Sequence, residues 1–238
     1  MRTYVLVHGG GHGGWCYQRV ARLLRAAGHE VYTPTLTGLG ERAHLLRPEV
    51  DLDTHIADVV GLLKYEDLRD VILVGHSYGG MVITGIADRA PDRIGHLVYL
   101  DAATPVNGES LAMHAKAIMD GLRASMQVVN GVELVMFPSV EMANYLGVTN
   151  PEDVAWVVER LTPQPWKTFA QPLRLTNEVA LCKIPQTHIV CTSTLATRDR
   201  ARMDQLTQGR VWDIDTGHHL MITEPGKTAD ALLRVATL

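Results

Sequence analysis

Val71-Ile72-Leu73-Val74-Gly75-His76-Ser77-Tyr78-Gly79-Gly80 is the stretch that decides the fold. A short apolar, β-branched run leads straight into G-x-S-x-G, and a small-residue segment from Tyr78 to Arg89 follows, halted before Pro91. Four apolar residues with no polar alternation predict a strand buried on both faces. Small residues flanking a serine permit a sharp strand-to-helix turn, which pushes the hydroxyl out above the carboxyl ends of the strands. The amides at the start of the following helix add positive potential beside it. The alternative, a glycine-rich turn with an incidental serine, explains neither the strand before it nor the helix after it.

Working outward, strand and helix alternate. Thr3 to His8 reads as a buried strand. Tyr17 to Ala27 reads as a helix with Val20, Leu23, Leu24 and Ala27 on one face and Gly28 at its C-terminus. Val31-Tyr32-Thr33 is a short strand stopped by Pro34. Thr54 to Tyr65 is a helix with Asp53 at its N-cap and Ile56, Val59, Val60 and Leu63 inward. Leu97 to Leu100, residues 187–192 and residues 211–214 complete the strands, with helices expected near 200–208 and 226–236. This alternation predicts an α/β fold: a mostly parallel central sheet of about six strands flanked by helices. Residues 104–182 break the rhythm. They carry no strong strand signal, prolines at 138, 151, 163, 165 and 172 among others, and five of the nine methionines. We expect a helical cap inserted after the fourth strand, within a single domain spanning residues 1–238. Adaptable methionines suit a cap over an apolar pocket, although ordinary helical packing would also use them.

Composition narrows the classes. The chain has 238 residues, 46% apolar and 20% charged, with a net charge of −4. It is long enough for a sizeable core and carries no basic footprint for nucleic acid or for an anionic membrane surface. Cys16, Cys182 and Cys191 form no C-x-x-C, so reduced thiols are expected rather than a disulfide framework or zinc ribbon. The apolar opening is far shorter than a signal sequence, and no run approaches a membrane span. The expectation is a cytoplasmic protein acting on a small molecule, with self-association left open.

A serine nucleophile needs a base. Asp215-Thr216-Gly217-His218-His219 follows the last strand, so chain order runs serine first and histidine last. Gly217 gives His218 the freedom to reach the serine. A metal site is not expected, since H-E-x-x-H is absent. His8-Gly9-Gly10-Gly11-His12-Gly13-Gly14 supplies backbone amides at the first strand's end, and the N–H groups of Gly10 and Tyr78 are the expected oxyanion donors. The same loop matches G-x-G-x-x-G, but the second strand ends without the acidic residue that a dinucleotide ribose requires, and no G-K-[ST] follows. Gly9, His12, Met221 and the insertion residues Trp156 and Trp166 are the expected substrate-binding residues.

Together these segments resemble the α/β-hydrolase superfamily, and within it the small branch of plant methylesterases, hydroxynitrile lyases and bacterial salicylate-esterase-like proteins. The resemblance rests on Val5 to Cys16, Pro34 to Arg42, Leu97 to Ala102 and Gly217 to Pro225, and is weakest between about 110 and 180. It implies a cap, no cofactor, and a carboxylic ester hydrolase working through a covalent acyl-enzyme. It also selects His218, seven residues before Pro225, as the base. Two departures matter. The lyases carry a threonine where Gly9 stands and a lysine where His219 stands, which favours hydrolysis over cyanohydrin cleavage. Many members place the acid where this chain has Leu195. Asp101, after the strand Leu97–Leu100, is the expected acid here, with Asp199 as the alternative. The rival functions are a lyase on the same frame and a weakly catalytic, receptor-like binding protein.

Overall fold

The structure, a computed structural model, describes residues 1–238. Its centre is a six-stranded sheet in the order β2-β1-β3-β4-β8-β9. The strands are β1 (Thr3–Val7), β2 (Glu30–Tyr32), β3 (Val71–His76), β4 (Ile94–Leu100), β8 (Gln186–Cys191) and β9 (Val211–Ile214), and all pairs are parallel. Every residue of β3 is buried, as an unbroken apolar run requires when helices cover both faces. The flanking helices are α1 (Gln18–Ala26), α2 (Leu52–Tyr65), α3 (Gly79–Arg89), α10 (Arg200–Thr207), α11 (Leu220–Thr223) and α12 (Pro225–Val235). Helix α3 is buried from Gly79 to Asp88, so its small residues let it lie close behind β3.

Local details differ from the sequence reading. Helix α1 buries Val20, Ala21 and Leu24, while Leu23 is exposed. Helix α2 starts two residues earlier than expected, and its N-cap is Asp51, not Asp53. The Asp51 carboxylate accepts from Thr54 N–H at 2.9 Å, and the Thr54 hydroxyl accepts in return from Asp51 N–H. That reciprocal capping box satisfies two end donors at once. Asp53 instead pairs with Arg89 and accepts from Gln171.

The insertion between β4 and β8 carries the helices α4 (Leu111–His114), α5 (Lys116–Ala124), α6 (Val140–Tyr145), α7 (Pro151–Val158), α8 (Trp166–Ala170) and α9 (Glu178–Leu181). It also holds strands where none were expected. β5 (Gln127–Val129), β6 (Val132–Val135) and β7 (Gln164–Pro165) form a small antiparallel sheet. Its hairpin turns through Asn130 and Gly131 with φ of 51° and 79°. Asn-Gly between valines is a strong local hairpin signal, and helix-prone neighbours masked it.

Candidate active site

The site forms at the carboxyl ends of β1, β3 and β4. β3 and β4 run in register, with His76 opposite Leu100. The residues that follow, Ser77 and Asp101, therefore emerge side by side. Both hold left-handed backbone conformations, with φ of 53° and 44°. Such conformations cost a non-glycine residue roughly 1–3 kcal/mol and persist only where the surroundings enforce them. Here Ala103 N–H donates to Ser77 O at 3.1 Å, and Asp101 N–H donates to Ile189 O at 2.6 Å. The turn needs its glycines: a β-carbon on Gly75 would lie 2.5 Å from Gly79 O.

His218 comes from the loop after β9. Its Nδ1 donates to Asp101 Oδ2 at 2.5 Å. Its own carbonyl accepts from His76 Nε2 at 2.9 Å, so the residue before Ser77 ties down the loop carrying His218. Burial by itself would depress the His218 pKa. The hydrogen bond and charge of Asp101, joined by contact with Cys191, outweigh burial and push it up to about 9. Burial would also raise the Asp101 carboxyl. The bond to His218, the His218 charge and the Arg198 guanidinium reverse that and hold it well below the usual carboxylate range. Asp199, the alternative acid, is exposed and accepts from Arg202 N–H at 3.0 Å as the N-cap of α10. It makes no bond to His218, whose carboxylate partner is Asp101.

The glycine loop after β1 is held from two sides. His8 Nδ1 donates to Gly9 O at 2.8 Å, while its Nε2 accepts from Leu36 N–H at 3.1 Å, which fixes the tautomer. Burial lowers the His8 pKa to about 3, so this strut stays neutral. From the insertion, Gln164 Oε1 accepts from Gly11 N–H at 2.8 Å, and Thr162 N–H donates to Gly11 O at 2.8 Å. Gly11 is thus spoken for at both ends. The N–H groups of Gly10 and Tyr78 take no part in the turn hydrogen bonds, and both residues line the cavity above Ser77.

That cavity has a volume of about 770 Å³ and contains Ser77, Asp101 and His218 in its lining. The insertion contributes apolar residues to that lining, among them Leu111, Met119, Leu122, Phe137, Met142 and Phe169, together with the polar His114, Lys116 and Tyr145. The segment after β8 adds Ser193, Thr194, Thr197, Arg198 and Arg202. Gly9 and His12 line the cavity as expected. Trp156, Trp166 and Met221 are absent from its lining. Trp156 packs edge-on against Trp15 with Arg19 and Arg160 over its ring. Trp166 is buried against Phe169 with Arg123 over its ring, and Met221 is fully buried in the core. Large aromatics bury well wherever a core exists, so their place in the insertion did not aim them at the pocket.

Sequence reasoning missed four residues around Ser77, Asp101 and His218. His76 sits inside the motif already singled out, and its strand context was the available signal. Thr194, Cys191 and Arg198 all touch Asp101 from more than ninety positions away, or at ninety for Cys191. Nothing local in the sequence encodes those contacts. His12, His76 and His219 surround His218 and are buried. Burial leads the causes that depress all three, His12 to about 4 and the other two well below the ordinary value. The cluster therefore stays neutral around one basic imidazole.

A strained serine over parallel strands, an imidazole from the last strand's loop and a glycine loop beside them are the architecture of one enzyme class. The comparisons agree. The model of the alpha/beta hydrolase family matches residues 4–231, and the chain belongs to that family. A carbendazim hydrolyzing esterase from Nocardioides sp. (strain SG-4G) is 46% identical over 188 residues, covering 74% of this chain and 75% of that protein. The pFDCC methylesterase MES16 of Arabidopsis thaliana is 29% identical over 215 residues, 86% of this chain and 81% of that one. The crystal structure of MES16 superposes with a TM-score of 0.78 at 25% identity, covering 100% of this chain and 99% of that one. An extracellular alpha/beta-hydrolase from a Paenibacillus species has a TM-score of 0.79 at 23% identity over 98% of each chain, which speaks for the fold. The chain is therefore an esterase-type alpha/beta hydrolase. No helix is long and apolar enough to cross a membrane.

Proposed function

We propose that this enzyme cleaves carboxylic esters through a Ser77–His218–Asp101 triad and a covalent acyl-enzyme. The observation that carries the reading is the 2.5 Å bond from His218 Nδ1 to Asp101 Oδ2 in the cavity that also contains Ser77. Asp101 fixes the tautomer, leaving Nε2 to take the serine proton. Ser77 Oγ attacks the ester carbonyl. The oxyanion accepts from the N–H groups of Gly10 and Tyr78, each such donor contributing on the order of 10²–10³ in rate. The alkoxide leaves with the proton from His218. Water, deprotonated by the same imidazole, then frees the acid.

The mixed lining of the cavity favours an ester that offers both an apolar and a polar group. An apolar or aromatic group fits against Met119, Phe137 and Phe169, and a polar group against Thr194, Thr197 and Arg202. The names of the relatives, an esterase and a methylesterase, support the ester as substrate class. Cyanohydrin cleavage is disfavoured sterically. A β-carbon at Gly9 would lie 2.9 Å from His76 Nδ1 and 3.0 Å from Ser77 Cβ, so the lyase threonine would press His76 and Ser77 out of place.

A fluorophosphonate probe tests the reading directly. Stoichiometric labelling of Ser77, with turnover of an aryl ester and none of mandelonitrile, is the expected result. An unlabelled Ser77 in folded protein would sink the acyl-enzyme mechanism. Because the neutral imidazole is the working base, kcat/KM should rise with pH through about 9. Stability runs the other way. A histidine whose pKa is raised by folding contributes fully below its unfolded value and loses that contribution as pH climbs through about 9.

A further inference from the structure

The carboxylate of Asp101 is gripped on both oxygens. Oδ2 faces His218 Nδ1 at 2.5 Å and Cys191 Sγ at 3.0 Å. Oδ1 accepts from Thr194 Oγ1 at 2.6 Å and from Arg198 Nη2 at 2.9 Å. Arg198 also donates to the backbone carbonyls of Asp101, at 2.9 Å, and Ala102, at 3.2 Å. Its side chain is 18% exposed and that of Asp101 is fully buried, so solvent screens this pair weakly. A permanent cation thus sits on the far oxygen of the carboxylate that orients the base.

We propose that Arg198 is a positioning residue for catalysis, which clamps Asp101 at the end of β4 and sets the basicity of His218 through it. The inference rests on the triad proposed above and names the device that makes it workable. A carboxylate alone with an imidazole would hold the proton too firmly. Arg198 takes part of the Asp101 charge, and its own positive charge opposes an imidazolium nearby. Both effects act in one direction: they ease the proton off His218. The bonds to two carbonyls add a mechanical role, holding Asp101 in its left-handed conformation.

The other groups around the pair leave Arg198 as the adjustable charge. His76 from β3, His12 from the glycine loop and His219 from the same loop as His218 are buried neutral rings. Cys191 at the end of β8 donates to Asp101. Asp199 and Arg202 lie further along the cavity wall, and neither bonds to Asp101 or His218.

The test compares Arg198→Gln, Arg198→Lys and Thr194→Val with the wild-type enzyme. Arg198→Gln should move the acid limb of kcat/KM upward by about half a unit to one unit, so that activity at pH 7 falls about 3–10-fold and recovers in alkali. Arg198→Lys keeps the charge and should hold the limb near the wild-type position. Thr194→Val removes a neutral donor from the same oxygen and should shift the limb the same way by less, which keeps the test standing if Arg198→Gln does not fold. A proton NMR titration of the His218 ring reads the same shift without turnover. Loss of activity with an unmoved limb and an unmoved titration would reduce Arg198 to a structural tie and overturn the inference. Should Ser77 resist the phosphonate while the NMR shift still follows Arg198, the ester mechanism falls and the clamp stands.

Discussion

The floor and the roof of the cavity are held by different means. The floor is made of strand ends. Ser77, Asp101 and the glycine loop leave β3, β4 and β1, whose residues are almost all without exposure. Parallel pairing fixes their spacing, and strained backbone there is enforced by neighbouring strands. The roof is made of short helices and a three-stranded ribbon that leave Met113, Ile118, Val128 and Tyr145 exposed. Polar ties secure it. Gln164 and Thr162 hold Gly11, and Asp88 of α3 accepts from the N–H groups of Thr176 and Asn177 at 2.6 to 3.0 Å. The floor is thus fixed by strand pairing, and the roof by polar ties to it.

Substitutions in the floor should therefore strike kcat. Asp101→Asn keeps the volume and removes the charge that orients His218, and activity should fall about 10³–10⁴-fold with the fold intact by circular dichroism. A loss of less than tenfold would mean that the floor is not where the acid acts. Gly9→Ala should come next. Its methyl would press on His76 Nδ1 and Ser77 Cβ, at 2.9 and 3.0 Å, and displacing the nucleophile by a fraction of an ångström should cost about 10²-fold in kcat.

The tie between roof and floor should give an intermediate effect. Gln164→Leu leaves the Gly11 N–H buried without a partner, loosening the loop that bears Gly10. We expect kcat about tenfold lower and stability reduced by about 1–3 kcal/mol. A change confined to KM would show that the insertion shapes binding only and does not support the oxyanion donors. Smallest of all, Asp199→Ala should leave kcat within about twofold and cost about 1 kcal/mol in thermal or urea unfolding, the loss of a helix cap. A collapse of activity there would move the acid from β4 to the α10 end of the cavity.

Legibility in the sequence followed range. The strand Val71–Val74, the serine turn and the alternation around them were readable because each rests on residues adjacent in the chain. The hairpin at Asn130-Gly131 is equally local, but Met-rich, helix-prone segments enclose it and obscure its signal. The cap of α2 slipped by two residues because Asp51 and Asp53 are both good caps, and only Thr54 in position to reciprocate separates them. Trp156 and Trp166 went astray for a different reason. Membership of the insertion does not say what each side chain packs against.

By itself the sequence determined the parallel α/β frame, the sharp strand-to-helix turn at Ser77 and a histidine in the last loop, because turn chemistry and strand burial are properties of neighbours in the chain. Only the tertiary structure decided that Asp101 rather than Asp199 faces His218, that Arg198 and Thr194 grip its far oxygen, and that Gln164 steadies the glycine loop. Those choices depend on the register of β3 with β4 and on contacts spanning ninety or more positions. Hydrogen bonds and charges act through space over a few ångströms, and the folded chain alone determines which groups come that close.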